Sequence, residues 1–128
     1  MPKQPTPKEE VVHKQLCSYL HAQYPDIIFL SDLSGVKLPM GLARKVSSLK
    51  SCRGIPDLII LEPRNGHHGL LLELKREGVK LYKKDGSFVN EHIAEQYHLL
   101  SRLNKKNYLA GFVMGFQDGK DTIDKYLA

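Results

Sequence analysis

Apolar residues recur along this chain with two spacings, and the switches between them lay out its elements. From about Pro7 to Gln23, Val12, Leu16, Tyr19 and Leu20 fall three and four apart, the spacing of one helical stripe. Thr6 or Pro7 is a fitting start for that helix, and residues 1–8, rich in Pro, Lys and Thr, read as a loose arm before it. The run "DIIFLSD" (26–32) is a short candidate strand. Residues 55–62 and 69–76 are strands by their Ile and Leu content, joined by "PRNGHH", in which Asn65-Gly66 is a strong turn signal. A smaller hairpin over residues 79–89, "VKLYKKDGSFV", turns at Asp85-Gly86, and its charges mark it as exposed. Asn90 caps a helix from Glu91 to Lys105 with Ile93, Tyr97, Leu100 and Leu103 as its core stripe and Gln96 at the edge. Then come a final buried strand, "YLAGFVMGF" (108–116), and a closing helix, "DGKDTIDKYL". The order α-β-β-β-α-β-α predicts an α/β fold, a mixed central sheet flanked by helices on both faces.

Length and composition make this one domain over residues 1–128, with 41% hydrophobic and 26% charged residues, the balance of a folded globular chain. Nineteen Lys and Arg against fourteen Asp and Glu give a net charge of +5, which suits a polyanionic partner such as nucleic acid. Much of that charge sits between the first two strands. The stretch "SGVKLPMGLARKVSSLKSCRG" reads as long and irregular, and carries Lys37, Arg44, Lys45, Lys50 and Arg53 with no acid. It is either a solvated loop or a phosphate-contacting arm. Cys17 and Cys52 have no metal-like spacing and suggest no disulfide framework, which suits a reducing compartment. With no signal-peptide-like core and no bilayer-length apolar run, the expected location is intracellular, bacterial cytoplasm (virus-infected or not) if the host is prokaryotic, with no membrane partner.

Three charges, Asp57, Glu73 and Lys75, interrupt the most apolar part of the chain. A buried charge without compensation costs several kcal/mol, so these residues lie at an edge or form a site. If the hairpin folds about Asn65, Asp57 stands directly opposite Glu73, with Cβ atoms about 4.5–5.5 Å apart on one face. Lys75, two residues on, shares that face, while Leu72 and Leu74 point to the other. Facing carboxylates repel one another, and a divalent cation would resolve the conflict. Two carboxylate oxygens, a backbone carbonyl and waters make the hard oxygen-rich site that Mg²⁺ accepts. Glu9 is on the line of the first helix's stripe and Glu10 roughly 100° further round, so Glu9 is favoured as the acid facing the core side. His67 and His68 lie at the turn and point apart, and His92 and His98 read as helix-surface residues; no third or fourth ligand completes a zinc site.

These residues resemble the PD-(D/E)xK nuclease superfamily, and more narrowly its VRR-NUC family. The matching pieces are Gly54-Ile55-Pro56-Asp57-Leu58, Glu73-Leu74-Lys75, Gln96 early in the following helix, and Glu9 in the opening turn of the first. The basic, glycine-containing approach to "GIPD" and the closing "YLAGFVMGF" strand extend the likeness over nearly the whole chain. The resemblance implies a restriction-endonuclease-like core and Mg²⁺-dependent cleavage of DNA phosphodiesters, with Mn²⁺ able to substitute. It makes Asp57, Glu73 and the Leu74 carbonyl metal ligands, joined by Glu9 directly or through water. Lys75 would position or activate the attacking water, and Gln96 would hold Lys75 or that water. Lys37, Arg44, Lys45, Lys50 and Arg53 would contact DNA. Small free-standing members resemble Holliday-junction resolvases and act as homodimers, which implies a structure-selective endonuclease for branched DNA such as four-way junctions. The alternatives are the same chemistry on flaps, nicks or linear DNA, or a non-catalytic DNA-binding protein. The connection from Lys75 to Gln96 is longer than the family pattern leads one to expect.

Overall fold

A computed structural model describes residues 6–33 and 36–128, so the first five residues of the expected arm, and Ser34 and Gly35 of the basic stretch, lie outside the description. Four strands form one sheet in the order β1-β2-β3-β4: β1 (Phe29–Ser31), β2 (Leu58–Ile60), β3 (Leu70–Lys75) and β4 (Leu109–Met114). β2 runs antiparallel to both of its neighbours, β1 and β3, and β4 runs parallel to β3. The helices are α1 (Glu9–Gln23), α2 (Met40–Ser48), α3 (Glu91–Lys105) and α4 (Gly115–Leu127). The fold is thus α/β with a mixed sheet. Among the described residues no helix is long and apolar enough to cross a membrane.

Alternation along β3 builds a core on each face of the sheet. Leu70, Leu72 and Leu74 join Val12, Leu16 and Leu20 of α1, Ile123, Tyr126 and Leu127 of α4, Leu58 and Ile60 of β2, and Val113 of β4. On the opposite face Leu71 packs with Leu100 of α3 and Ala110 of β4. Fully burying a leucine contributes about 1.5–3 kcal/mol, so the α1–α4 side carries most of the apolar stabilisation. Close helix packing there depends on Gly119, where an added Cβ would lie 2.7 Å from Leu16. The opposite face is left thinner, and it is the face that carries the charges.

The hairpin register is the anticipated one: Leu58 pairs with Leu72 and Ile60 with Leu70. The tip is not in the same register. Asn65 (φ 52°) and Gly66 (φ 83°) are both left-handed, as the tight Asn-Gly turn requires, and Arg64 pairs with His67. Three residues, Leu61 to Pro63, therefore lie opposite two, His68 and Gly69, which is the signature of a bulge. Gly69 is required at this shift, because a Cβ there would sit 2.7 Å from the Ile60 carbonyl oxygen. Without the extra residue the turn would set a register one residue off, and the side chains meant for one face would reach the other.

Four expectations need correcting. The basic stretch is not irregular throughout, since Met40–Ser48 is helical after Pro39, although none of its residues is buried. Tyr97 is not core but 40% exposed, on a helix face partly covered by Phe88 of the 79–89 excursion, its ring centroid 5.0 Å away, while Gln96 is the buried residue, 5% exposed. The last strand ends at Met114, with only Ala110 and Val113 buried, since it is an edge strand with one neighbour. His67 is half-buried against Tyr126 rather than exposed. By contrast α3 begins at Glu91 as anticipated, with the Asn90 side chain accepting from the Ile93 amide at 2.8 Å.

Candidate active site

Asp57 lies just before β2, after Pro56, which is buried and has no N–H to offer the ladder. Its backbone carbonyl accepts from the Asp32 amide at 2.8 Å, and its side-chain Oδ2 accepts from the Leu74 amide at 2.8 Å. The carboxylate thus takes a ladder position that the backbone leaves open, which fixes it against the Glu73–Lys75 segment of β3. Gly54, at φ 78°, turns the chain into this approach and lies 3.9 Å from the Gln96 Cα, measured from where its Cβ would be.

Glu73 and Lys75 leave β3 on the same face and are each only 5% exposed. Burial first, then the charge of Asp57, push the Glu73 carboxyl up from an ordinary 4.5 to about 9; Lys75 pulls the other way, while the charge of Glu9 adds to the rise. The charge of Asp57 thus bears on the Glu73 carboxyl, while the Asp57 side chain is itself bonded to the Leu74 amide. Lys75 Nζ is 3.9 Å from Glu73 Oε1 and lies 6.0 Å from the Phe112 ring centroid. Gln96 Nε2 donates to Glu73 Oε1 at 2.6 Å, so the glutamine meets the carboxylate rather than Lys75. Glu73 Oε2 and Gln96 Oε1 are buried and find no hydrogen-bond partner among the described residues.

All of these groups line one cleft of about 580 Å³. Its walls come from α1 (Glu9, Glu10 and His13), from α2 and its flanks, from Gly54, Ile55 and Asp57, and from the N-terminal half of α3. Glu9 and Glu10 are both exposed at the rim. Of the basic residues, Lys50 and Arg53 reach the cleft, whereas Lys37, Arg44 and Lys45 are exposed on α2 or beside it. Lys50 is engaged with Asp32 at 2.7 Å. His13, His92 and Glu95, to which sequence reasoning gave no site role, also line the cleft. His92 had a readable signal, since it precedes Gln96 by four and so shares its face of α3.

No family model and no curated protein sequence matches this chain. A solved structure does share its fold. Described as a VRR_NUC domain protein, it is 21% identical, covers 96% of this chain and 90% of its own, and superposes with a TM-score of 0.63. At this identity the likeness is one of fold. It carries a VRR-NUC-like architecture over nearly the full length, the architecture that the motif resemblance implied.

A divalent cation fits the donor set. Two carboxyl groups line one recess, one of them held neutral by burial and by its neighbour, with a buried oxygen that has no partner among the described residues. A hard cation takes oxygen donors of this kind and favours their charged form. No three His, Cys, Asp or Glu side chains among the described residues converge as a ready-made cluster.

Proposed function

We propose that this chain is a divalent-metal-dependent endonuclease acting on DNA. The observation that carries the reading is the convergence of Asp57, Glu73 and Lys75 in one cleft, with a buried Glu73 oxygen left without a partner. Asp57 and Glu73 would hold the ion, with the Leu74 carbonyl as a third donor and Glu9 reaching it directly or through water. The expected ion is Mg²⁺, with Mn²⁺ able to substitute. Such a cation, when bound, supplies Lewis-acid polarisation of the phosphate and acidifies water. Lys75, beside Glu73, is placed to hydrogen-bond the attacking water and to offset charge as the phosphodiester gains an oxygen and loses one strand end. Gln96 orients the Glu73 carboxylate through its 2.6 Å hydrogen bond. The exposed bases Lys37, Arg44 and Lys45 and the cleft-lining Arg53 would meet phosphates, which gives affinity without reading sequence.

Branched DNA such as four-way junctions, cut by a homodimer, is the substrate that the resemblance to small junction-resolving members favours, because paired sites on a two-fold axis match paired strands. Incubating the protein in Mg²⁺ with a panel of junction, flap, nicked and linear DNAs tests both levels. The expected outcome is cleavage with junctions preferred, absent in Asp57→Asn and Lys75→Ala while both variants still bind. Preference for linear duplex removes the junction assignment, and equal cleavage by wild type and both variants removes the nuclease reading.

A further inference from the structure

His92 lies on the first turn of α3, one turn before Gln96, and its side chain enters the same cleft. The terminal amide of Gln96 makes two contacts through a single nitrogen: Nε2 is 2.6 Å from Glu73 Oε1 and 3.1 Å from His92 Nε2. Its Oε1 is buried without a partner among the described residues. That asymmetry is informative, because an amide is nearly symmetric in shape and only its partners decide which end faces where.

Each partner constrains the other. An ionised carboxylate only accepts, so whenever Glu73 carries the charge that a cation needs, the nitrogen of Gln96 must face it. The second hydrogen of that nitrogen then points at His92 Nε2, which must accept, so the ring carries its proton on Nδ1. A group at position 92 that could only donate would instead favour the flipped amide. The flip would set Gln96 Oε1 against Glu73 Oε1, an arrangement that a neutral Glu73 tolerates and an ionised one does not. A buried, half-satisfied polar network of this kind is sensitive to the loss of any member.

We propose that His92 is a positioning residue: by accepting the second amide hydrogen of Gln96 it holds the Gln96 nitrogen toward Glu73, in the orientation that the ionised carboxylate and a bound divalent cation require. This rests on the metal-site reading of Asp57 and Glu73 but assigns a role that reading does not contain. It acts through Gln96 and touches neither the ion nor the DNA. The prediction depends on acceptor capacity rather than on size or charge alone, which gives it a sharp test.

The experiment titrates Mn²⁺ into the full chain by calorimetry for wild type, His92→Leu, His92→Lys, His92→Gln and Glu73→Gln, with thermal melting of each. His92 is exposed on its helix, so its variants are expected to melt near wild type. Losing a supporting partner typically weakens metal binding about 10–100-fold, and the Leu and Lys variants are expected to show that loss. The Gln variant, whose side-chain oxygen can accept, is expected to recover most of it. If Leu and Lys bind Mn²⁺ as wild type does, or if Gln is as impaired as Leu, the role assigned to His92 is wrong. If Glu73→Gln itself binds Mn²⁺ normally, the metal-site reading fails instead, so the two failures are distinguishable.

Discussion

Leu70, Leu72 and Leu74 leave β3 on one side, Leu71, Glu73 and Lys75 on the other, and all six are at most 7% exposed. The first set meets α1 and α4 and is apolar throughout. The second meets α3, Gln96 and the Asp57 carboxylate and buries a carboxyl and an ammonium. Apolar burial stabilises a fold, whereas replacing a buried charged pair with apolar residues of similar volume is often neutral or stabilising. Equal burial therefore conceals opposite contributions. One face of the strand holds the protein together, and the other retains titratable groups that folding alone gives no reason to keep.

The widest separation between the faces is expected from a pair of substitutions. Glu73→Gln should reduce cleavage by more than the ~10–100-fold that a supporting residue near a metal costs, while leaving stability equal or higher. Leu72→Ala should do the reverse, losing about 2–5 kcal/mol of unfolding free energy with cleavage per folded molecule retained. Denaturant unfolding together with single-turnover cleavage reads both, and similar behaviour of the two variants would erase the distinction between the faces.

A smaller effect concerns pH. In the metal-free chain Glu73 stays protonated up to about 9, while in the unfolded chain it ionises near 4.5. The folded state thus binds the extra proton, so this group's contribution is fully present at low pH and is lost as pH rises from about 4.5 through about 9. The expected slope is up to about 1.4 kcal/mol per pH unit. Melting curves across that range should show a decline that Glu73→Gln flattens and Mg²⁺ relieves; a flat wild-type profile would mean that the carboxyl is not held neutral by its surroundings.

The smallest effect lies off the strand altogether. Lys45 is exposed on α2, whereas Lys50 is already paired with Asp32 at 2.7 Å. Lys45→Ala should weaken DNA binding a few-fold and lower the salt-dependence slope by about 0.9, the value for one lost phosphate contact. Anisotropy titrations over a range of salt measure it, and an unchanged slope would take Lys45 out of the interface.

Much of this was legible in the sequence because the relevant signals were periodic. Alternation in "LLLELK" fixed which residues share a face, and Asn90 with the Ile93 and Leu100 spacing fixed α3. The register of the β2–β3 hairpin was also legible, although the tight turn alone would have set it one residue off. The bulge opposite Gly69 restores it, and only the glycine hinted at so close an approach. What escaped was set by packing more than by apolar spacing. Helix α2 buries no side chain, so nothing in its apolar spacing answers to a core. His92 looked like a surface histidine, and its meaning depends on which end of the Gln96 amide faces Glu73, a fact of packing rather than of spacing.

Diffraction from crystals soaked in Mn²⁺, recorded for anomalous scattering, tests the central claim most directly. The account predicts a single-site or paired-site signal in contact with the carboxylates of Asp57 and Glu73, and its disappearance in Asp57→Asn. A signal elsewhere in the molecule, or none at Mn²⁺ concentrations that support cleavage, would contradict it.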